Sequence, residues 1–165
     1  TEVDEGIIDE MQENYLFKSG YELALKLLSI KRFSEFELNK KLTKKEYPDW
    51  ITEKILNKLR EYNFLNDENL AESQIRMMME NERAGLLKIK KKLIERGIHS
   101  EIIEDKIKIM YTEEYEEEAI TELIKKKIKT YPDNLSDTKK KEKLLLYLQN
   151  KGFLRNRIVK YLFSY

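Results

Sequence analysis

An all-α fold is predicted, built as three tandem three-helix repeats of helix-turn-helix character in an elongated, curved array. Three observations predict it. First, one apolar template occurs three times: Leu38, Leu42 and Tyr47; Ile89, Leu93 and Ile98; Leu144, Leu148 and Phe153. In each copy the first two positions are four apart and the third follows five later, with offsets of 51 and 55 residues between copies. Four-residue spacing puts two side chains on one helical face. Second, Glu46, Gly97 and Gly152 stand just before the third positions. Glycine is the residue that most readily takes the left-handed conformation closing a helix. Third, a new helical apolar pattern follows each turn, and no alternating strand-like stretch or Gly/Ser-rich linker occurs.

The elements follow in order. A leading segment, 1–19, carries Ile7, Ile8, Met11 and Tyr15 at helical spacing, which predicts a short helix ending before Gly20. Thr1 stands where an initiating methionine is expected, which implies that residues were removed ahead of it. Repeat 1, 20–62, opens with a helix through Ala24. Ser34 and Glu37 have the spacing of a capping box. Pro48-Asp49 restarts the chain as a helix bearing Ile51, Ile55 and Leu56. Residues 63–66 form a connector, and Asp67 is expected to cap the helix that opens repeat 2, 63–111.

Repeat 2 carries Ala71, Gly85, the Gly97 turn and then Ile102, Ile103 and Ile107. Repeat 3, 112–165, starts in an acidic run with Ala119, breaks at Tyr131-Pro132-Asp133-Asn134, and ends in a helix pair around Gly152 with Ile158, Val159 and Leu162. Between Gly85 and Arg96, Leu86, Ile89 and Leu93 face inward, while Lys88, Lys91 and Glu95 point the other way with Lys92 on the flank. Leu87 and Ile94 form a second stripe, matched by Phe36 and Thr43 in repeat 1, read as contact with an adjacent repeat. Leu145-Leu146-Tyr147 replaces the polar tripeptides Asn39-Lys40-Lys41 and Lys90-Lys91-Lys92, which predicts a more buried helix there.

Composition narrows the function classes. With 32 basic and 31 acidic residues the net charge is +1, which argues against a protein that simply coats nucleic acid. The charge is nevertheless sorted into blocks. Residues 1–13 hold six acidic groups and no basic one, and Glu101 to Glu118 hold eight against Lys106 and Lys108. Residues 83–96 hold Arg83, Lys88, Lys90, Lys91, Lys92 and Arg96 against Glu95. Residues 139–165 hold eight basic groups against Glu142. Such sorting gives one molecule surfaces of opposite sign. The longest apolar run, Leu144 to Leu148, is far short of the roughly 20 residues of a membrane span. With no cysteine and no secretion signal, a cytoplasmic location is expected, with no membrane partner.

Catalytic constellations are missing from the sequence. Gly6, Gly20, Gly85, Gly97 and Gly152 are too far apart for a Walker loop or a dinucleotide fingerprint. The single histidine, His99, follows a turn glycine and is read as lying near a helix cap. With no cysteine it cannot build a zinc site of the usual ligands, so no catalytic, metal or cofactor residue is assigned. Glu113, Glu114, Glu116, Glu117 and Glu118 splay around a helix and read as a solvated face. Tyr47, Trp50 and Phe153 read as core, while Tyr161, Phe163 and Tyr165 stay unassigned.

Over roughly residues 20–165 the chain resembles the RecX family of recombinase regulators. The resemblance rests on ordered blocks rather than any single motif. They are Ala24-Leu25 to Leu28 with Lys31-Arg32-Phe33-Ser34-Glu35 and Glu37-Leu38; Phe64 to Glu72; Arg83-Ala84-Gly85-Leu86 with Leu93, Arg96-Gly97-Ile98 and Ile102-Ile103; and Leu148 to Phe153 with Ile158. Leu86 departs from the proline common at that place in the family. The resemblance implies a non-enzymatic monomer that binds the groove of the RecA filament on single-stranded DNA. It would limit extension, favour disassembly, and lower recombinase, ATPase and co-protease activity. The near-neutral charge makes its contact with single-stranded DNA weak or indirect.

Two other readings stay open: an autonomous DNA-binding module of helix-turn-helix type, and a helical scaffold for another protein. Among the last-helix starts, Pro48-Asp49-Trp50, His99-Ser100-Glu101 and Leu154-Arg155-Asn156, the third suits DNA. The candidate contact residues are Arg76, Arg83, Lys88, Lys91, Lys92 and Arg96, with a second basic set at Lys151, Arg155, Arg157 and Lys160.

Overall fold

The computed structural model describes residues 2–162, with side chains from residue 6 onward. Phe163 and Tyr165 lie outside the described residues. Among these there are nine helices and no strand: α1 (Glu2–Ile30), α2 (Glu35–Thr43), α3 (Asp49–Glu61), α4 (Asp67–Glu82), α5 (Leu86–Glu95), α6 (Ser100–Met110), α7 (Glu113–Ile128), α8 (Asp137–Asn150) and α9 (Arg155–Leu162). Among the described residues they fall into two compact units, one up to residue 70 with 96–98, the other of residues 71–95 with those from 99 onward.

In the first unit α1, α2 and α3 pack pairwise around Ala24, Leu38, Leu42, Ile51, Ile55 and Leu59, all fully buried. Tyr47 is half-buried against this core, and its hydroxyl meets Ser19 Oγ at 2.8 Å. Gly20 does not end the leading helix, which runs on through it to Ile30. The reason is packing: a Cβ at Gly20 would lie 2.5 Å from Ile55 Cδ1 and 3.0 Å from the Tyr47 ring, so glycine lets α1 close on α3. Trp50, expected in the core, is 52% exposed. It shares the outer face of α3 with Glu53 and Lys54, while Ile51, Thr52, Ile55 and Leu56 turn inward. The turn before α4 corrects a second expectation. Asn66 Oδ1, not Asp67, accepts the Asn69 N–H as the cap of that helix. Asp67 Oδ1 instead accepts the Glu35 N–H at the start of α2.

In the second unit α7, α8 and α9 pack around Ala119, Ile120, Ile124, Leu148, Phe153 and Ile158. Leu144 joins this core, and so does Tyr161, whose place the sequence left open. Ala71, Gly85, Ile89 and Leu93 are buried in the same unit, and α5 packs on α6. Leu146 is exposed, so only part of the Leu145-Leu146-Tyr147 segment is withdrawn from water. His99 stands at the N-cap position of α6 without a side-chain cap bond.

All three turns contain a left-handed residue: Glu46 at φ 63°, Gly97 at φ 70° and Gly152 at φ 96°. Two of them also receive another segment at close range. In the first unit the Arg96-Gly97 turn lies on the start of α2, where Ser34 Oγ–H donates to the Arg96 carbonyl and Ile98 is buried. A Cβ at Gly97 would sit 2.3 Å from the Phe36 ring. In the second unit the Lys151-Gly152 turn lies on the start of α5. Gly85 N–H donates to the Lys151 carbonyl at 2.8 Å, and Leu87 N–H to the Gly152 carbonyl at 2.9 Å. A Cβ at Gly152 would meet Lys88 at 2.5 Å. Positive φ alone admits a side chain, as exposed Glu46 shows; positive φ with a docked helix start leaves room only for glycine.

Candidate interaction surface

The basic residues singled out in the sequence divide by what holds them. Arg96 belongs to the first unit and is built into it. Its Nη2 donates to Glu37 Oε2 at 2.8 Å and to the Arg32 carbonyl at 2.9 Å, and its Nε to Glu37 Oε1 at 3.2 Å. Glu37 Oε2 also accepts the Ser34 N–H at 2.9 Å, closing the capping box of α2. Burial pushes the Glu37 carboxyl up, but the Arg96 bonds, the Ser34 N–H and the charges of Arg96 and Lys31 outweigh it and hold it below its ordinary 4.5. With its side chain 13% exposed, Arg96 joins two segments of its own unit.

Arg157 is comparably engaged in the second unit. Its Nε bonds Glu116 Oε2, and its Nη2 reaches Glu113 Oε1 at 2.8 Å. Glu116, expected on a solvated face, is only 4% exposed, and Tyr111 donates its hydroxyl to Oε1 at 3.0 Å. The carboxylates raise Arg157 above its ordinary range, while burial, and then the Glu116 charge, raise the Tyr111 phenol. Burial also pushes Tyr115 up to about 12; its hydroxyl donates to the Ala84 carbonyl at 2.9 Å.

Others are paired at the surface. Arg83, left-handed at φ 50°, meets Glu122 at 2.8 Å; Arg76 meets Glu72 at 3.2 Å; Lys160 meets Glu113 at 3.4 Å. Lys88 meets Glu82 at 2.6 Å, and Lys151 Nζ reaches the Glu82 carbonyl at 3.3 Å. Lys91 is 78% exposed, with Glu95 no closer than 3.9 Å. Lys92 and Arg155 are exposed. Sequence reasoning missed these acidic partners because most are separated from their cations by tens of residues, and no local spacing reports them.

What the second unit does assemble is a groove between α4, α5 and the α8–α9 turn. Met77, Leu87, Lys88, Lys91, Lys92 and Asn150 line it. Leu87 and Ile94, expected to be covered by a neighbouring repeat, are 49% and 63% exposed. They sit on the outer side of α5, away from buried Ile89 and Leu93. The surface therefore offers apolar contact beside lysine charge. No helix among the described residues is long and apolar enough to cross a membrane.

Comparison with known proteins fits this architecture. The chain matches the models of the first RecX three-helix domain over residues 21–59, the second over 66–107 and the third over 113–162. It is 34% identical over 154 residues to the regulatory protein RecX of Lactococcus lactis subsp. lactis (strain IL1403), covering 92% of this chain and 57% of that relative. It is also 34% identical over 149 residues to the regulatory protein RecX of Clostridium acetobutylicum, covering 89% and 67%. The crystal structure of RecX from Lactobacillus salivarius superposes with a TM-score of 0.83 at 30% identity, covering 92% of this chain and 99% of that one. The chain thus spans little more than half the length of the Lactococcus relative and nearly all of the solved Lactobacillus chain. Three consecutive domain matches, in order and on the helices described above, establish that this chain belongs to the RecX family.

Proposed function

We propose that this chain is a cytoplasmic, non-enzymatic regulator that binds the RecA filament on single-stranded DNA. Seated in the filament groove, it limits extension and favours disassembly, and so lowers recombinase, ATPase and co-protease activity. The observation that carries this reading is membership of a family whose relatives are named regulatory protein RecX. The surface chemistry supports it. On α5, Lys91 and Lys92 offer charge toward carboxylates or phosphates, and exposed Leu87 and Ile94 on the same helix offer area to a protein partner. With net charge +1 the chain gains little from bare DNA alone, so the protein component of the filament supplies most of the contact.

The test is single-strand-dependent ATP hydrolysis by RecA filaments with increasing amounts of this chain. Hydrolysis should fall. Unchanged hydrolysis at low salt over a wide concentration range would remove the reading. Exposed Arg155 and Asn156 at the start of α9 would then favour autonomous duplex binding, provided bare duplex is retained.

A further inference from the structure

A large block of positive charge lies outside the residues assigned above. Eight lysines stand between residues 125 and 143, against Asp133, Asp137 and Glu142. The net charge of +1 conceals them, because carboxylates elsewhere in the chain offset them. They belong to the end of α7, the turn after it and the start of α8, all within the second unit. Lys125, Lys126 and Lys127 close α7, where cations complement the carbonyl end of a helix. Lys139 and Lys140 have no such reason for their place. They sit in the first turn of α8, whose N–H groups carry partial positive charge, so folding alone disfavours cations there.

Along α8, Lys140, Lys143, Tyr147 and Lys151 recur at intervals of three, four and four, which makes one stripe. Lys127 reaches this stripe from α7. Its Nζ lies 5.2 Å from the centre of the Tyr147 ring and 5.9 Å from that of Tyr131, which Lys143 approaches at 5.8 Å. Both tyrosines are partly exposed, and Asp133 and Glu142 are exposed. Carboxylates cancel little of this charge. Glu122 takes Lys126, and Asp137 stands 4.0 Å from Lys140, but among the described residues no ion pair holds Lys127, Lys139 or Lys143.

We propose that this face of α7 and α8 binds the backbone of single-stranded DNA. Lysines gathered without carboxylate partners, two of them against a helix end of their own sign, fit a polyanion. A protein partner fits less well, because protein interfaces are depleted in lysine and nucleic-acid interfaces are strongly positive. The partly exposed rings favour a single strand over a duplex, since unpaired bases offer faces to stack on tyrosine. The choice of DNA rests on the function proposed above; the lysine and tyrosine face does not. This contact is direct, where the net charge alone implies a weak or indirect one. It adds to the contacts made with the protein component of the filament.

Fluorescence anisotropy of labelled oligo-dT with the whole chain, in the absence of RecA, tests it. Binding should weaken with added salt. Lys139→Gln with Lys140→Gln should weaken it by about tenfold and lower the salt slope by about 1.4, two contacts' worth on a single strand. Lys127→Gln with Lys143→Gln should do the same. Lys44→Gln with Lys45→Gln removes equal charge from exposed sites in the first unit and should leave binding unchanged. The Lys139 and Lys140 variant should also melt no lower than the parent, because the change relieves repulsion at the helix end. Absence of binding at low salt, an equal loss in the first-unit variant, or tighter retention of duplex or oligo-U would overturn the proposal. A lower melting temperature for the Lys139 and Lys140 variant would overturn it too, by giving those lysines to the fold. Because RecA is absent, failure here leaves the regulatory reading standing, and unchanged ATP hydrolysis by RecA leaves oligo-dT binding to be judged by itself.

Discussion

Arg96 clamps Glu37 with two hydrogen bonds, Nη2 to Oε2 at 2.8 Å and Nε to Oε1 at 3.2 Å, across 59 residues of sequence. The same carboxylate caps α2, so one side chain both starts a helix and anchors a distant turn. Lysine offers no planar fork, and Arg96→Lys should cost about 1 to 3 kcal/mol in denaturant titration. The pH response follows from the lowered pKa of Glu37. Its contribution is present above the unfolded value near 4.5 and is lost as pH falls through the lower folded value. As pH falls from about 4.5 to that lower value the parent should lose stability more steeply than Glu37→Gln, which carries no titrating group there. Equal slopes would mean the pair is not formed in solution.

The three left-handed turns give opposite expectations for similar positions. Glu46 is exposed, and its φ of 63° strains a side chain with a Cβ. Glu46→Gly should therefore raise stability by about 0.5 to 1 kcal/mol. Gly97→Ala and Gly152→Ala add that strain and also place a Cβ 2.3 and 2.5 Å from occupied positions. Each should lower stability by about 2 kcal/mol or more. Thermal unfolding of the three variants checks the sign of each.

The template was readable because Leu38 and Leu42, or Ile89 and Leu93, are four residues apart and all are fully buried. Local spacing reports a helical face directly. Asp67 does start α4, as its place in the sequence suggests, but the cap falls one residue earlier at Asn66, and the bond Asp67 accepts from the Glu35 N–H, 32 residues away, has no local signal. The basic cluster was readable as charge but not as surface. Whether a cation faces water depends on carboxylates such as Glu122 and Glu116, which only the fold brings near Arg83 and Arg157. Gly20 misled for the same kind of reason: its neighbour Ile55 is distant in sequence, so a packing glycine read as a helix end.

Arg155 and Arg157, two residues apart, should respond very differently to removal. Arg157 neutralises Glu116, which is almost fully withdrawn from water. Arg157→Ala strands that carboxylate and should cost about 3 kcal/mol. Arg155 is exposed, and Arg155→Ala should shift stability by less than about 0.5 kcal/mol. Chemical denaturation of the two variants, side by side, measures the contrast. A similar small loss for both would mean that Glu116 finds water or another donor when Arg157 is gone.

The proposed contact with the RecA filament is best probed where charge is not already paired within the chain. Lys88 is held by Glu82 at 2.6 Å, so its reversal would disturb α4 and α5 as well as any partner. Lys91 and Lys92 avoid this, since Lys91 is 78% exposed with Glu95 only at 3.9 Å, and Lys92 is exposed. Lys91→Glu with Lys92→Glu should leave helicity unchanged and melting shifted by under about 0.5 kcal/mol per site. Inhibition of RecA ATP hydrolysis should fall sharply in the same variant, and its remaining salt dependence should flatten. If the two lysines met DNA phosphates, the salt slope would drop by about 0.7 per contact on a single strand. Contacts to protein carboxylates would weaken binding without that stoichiometric slope. Full inhibition by the double variant would move the contact surface to Arg155, the exposed cation at the start of α9.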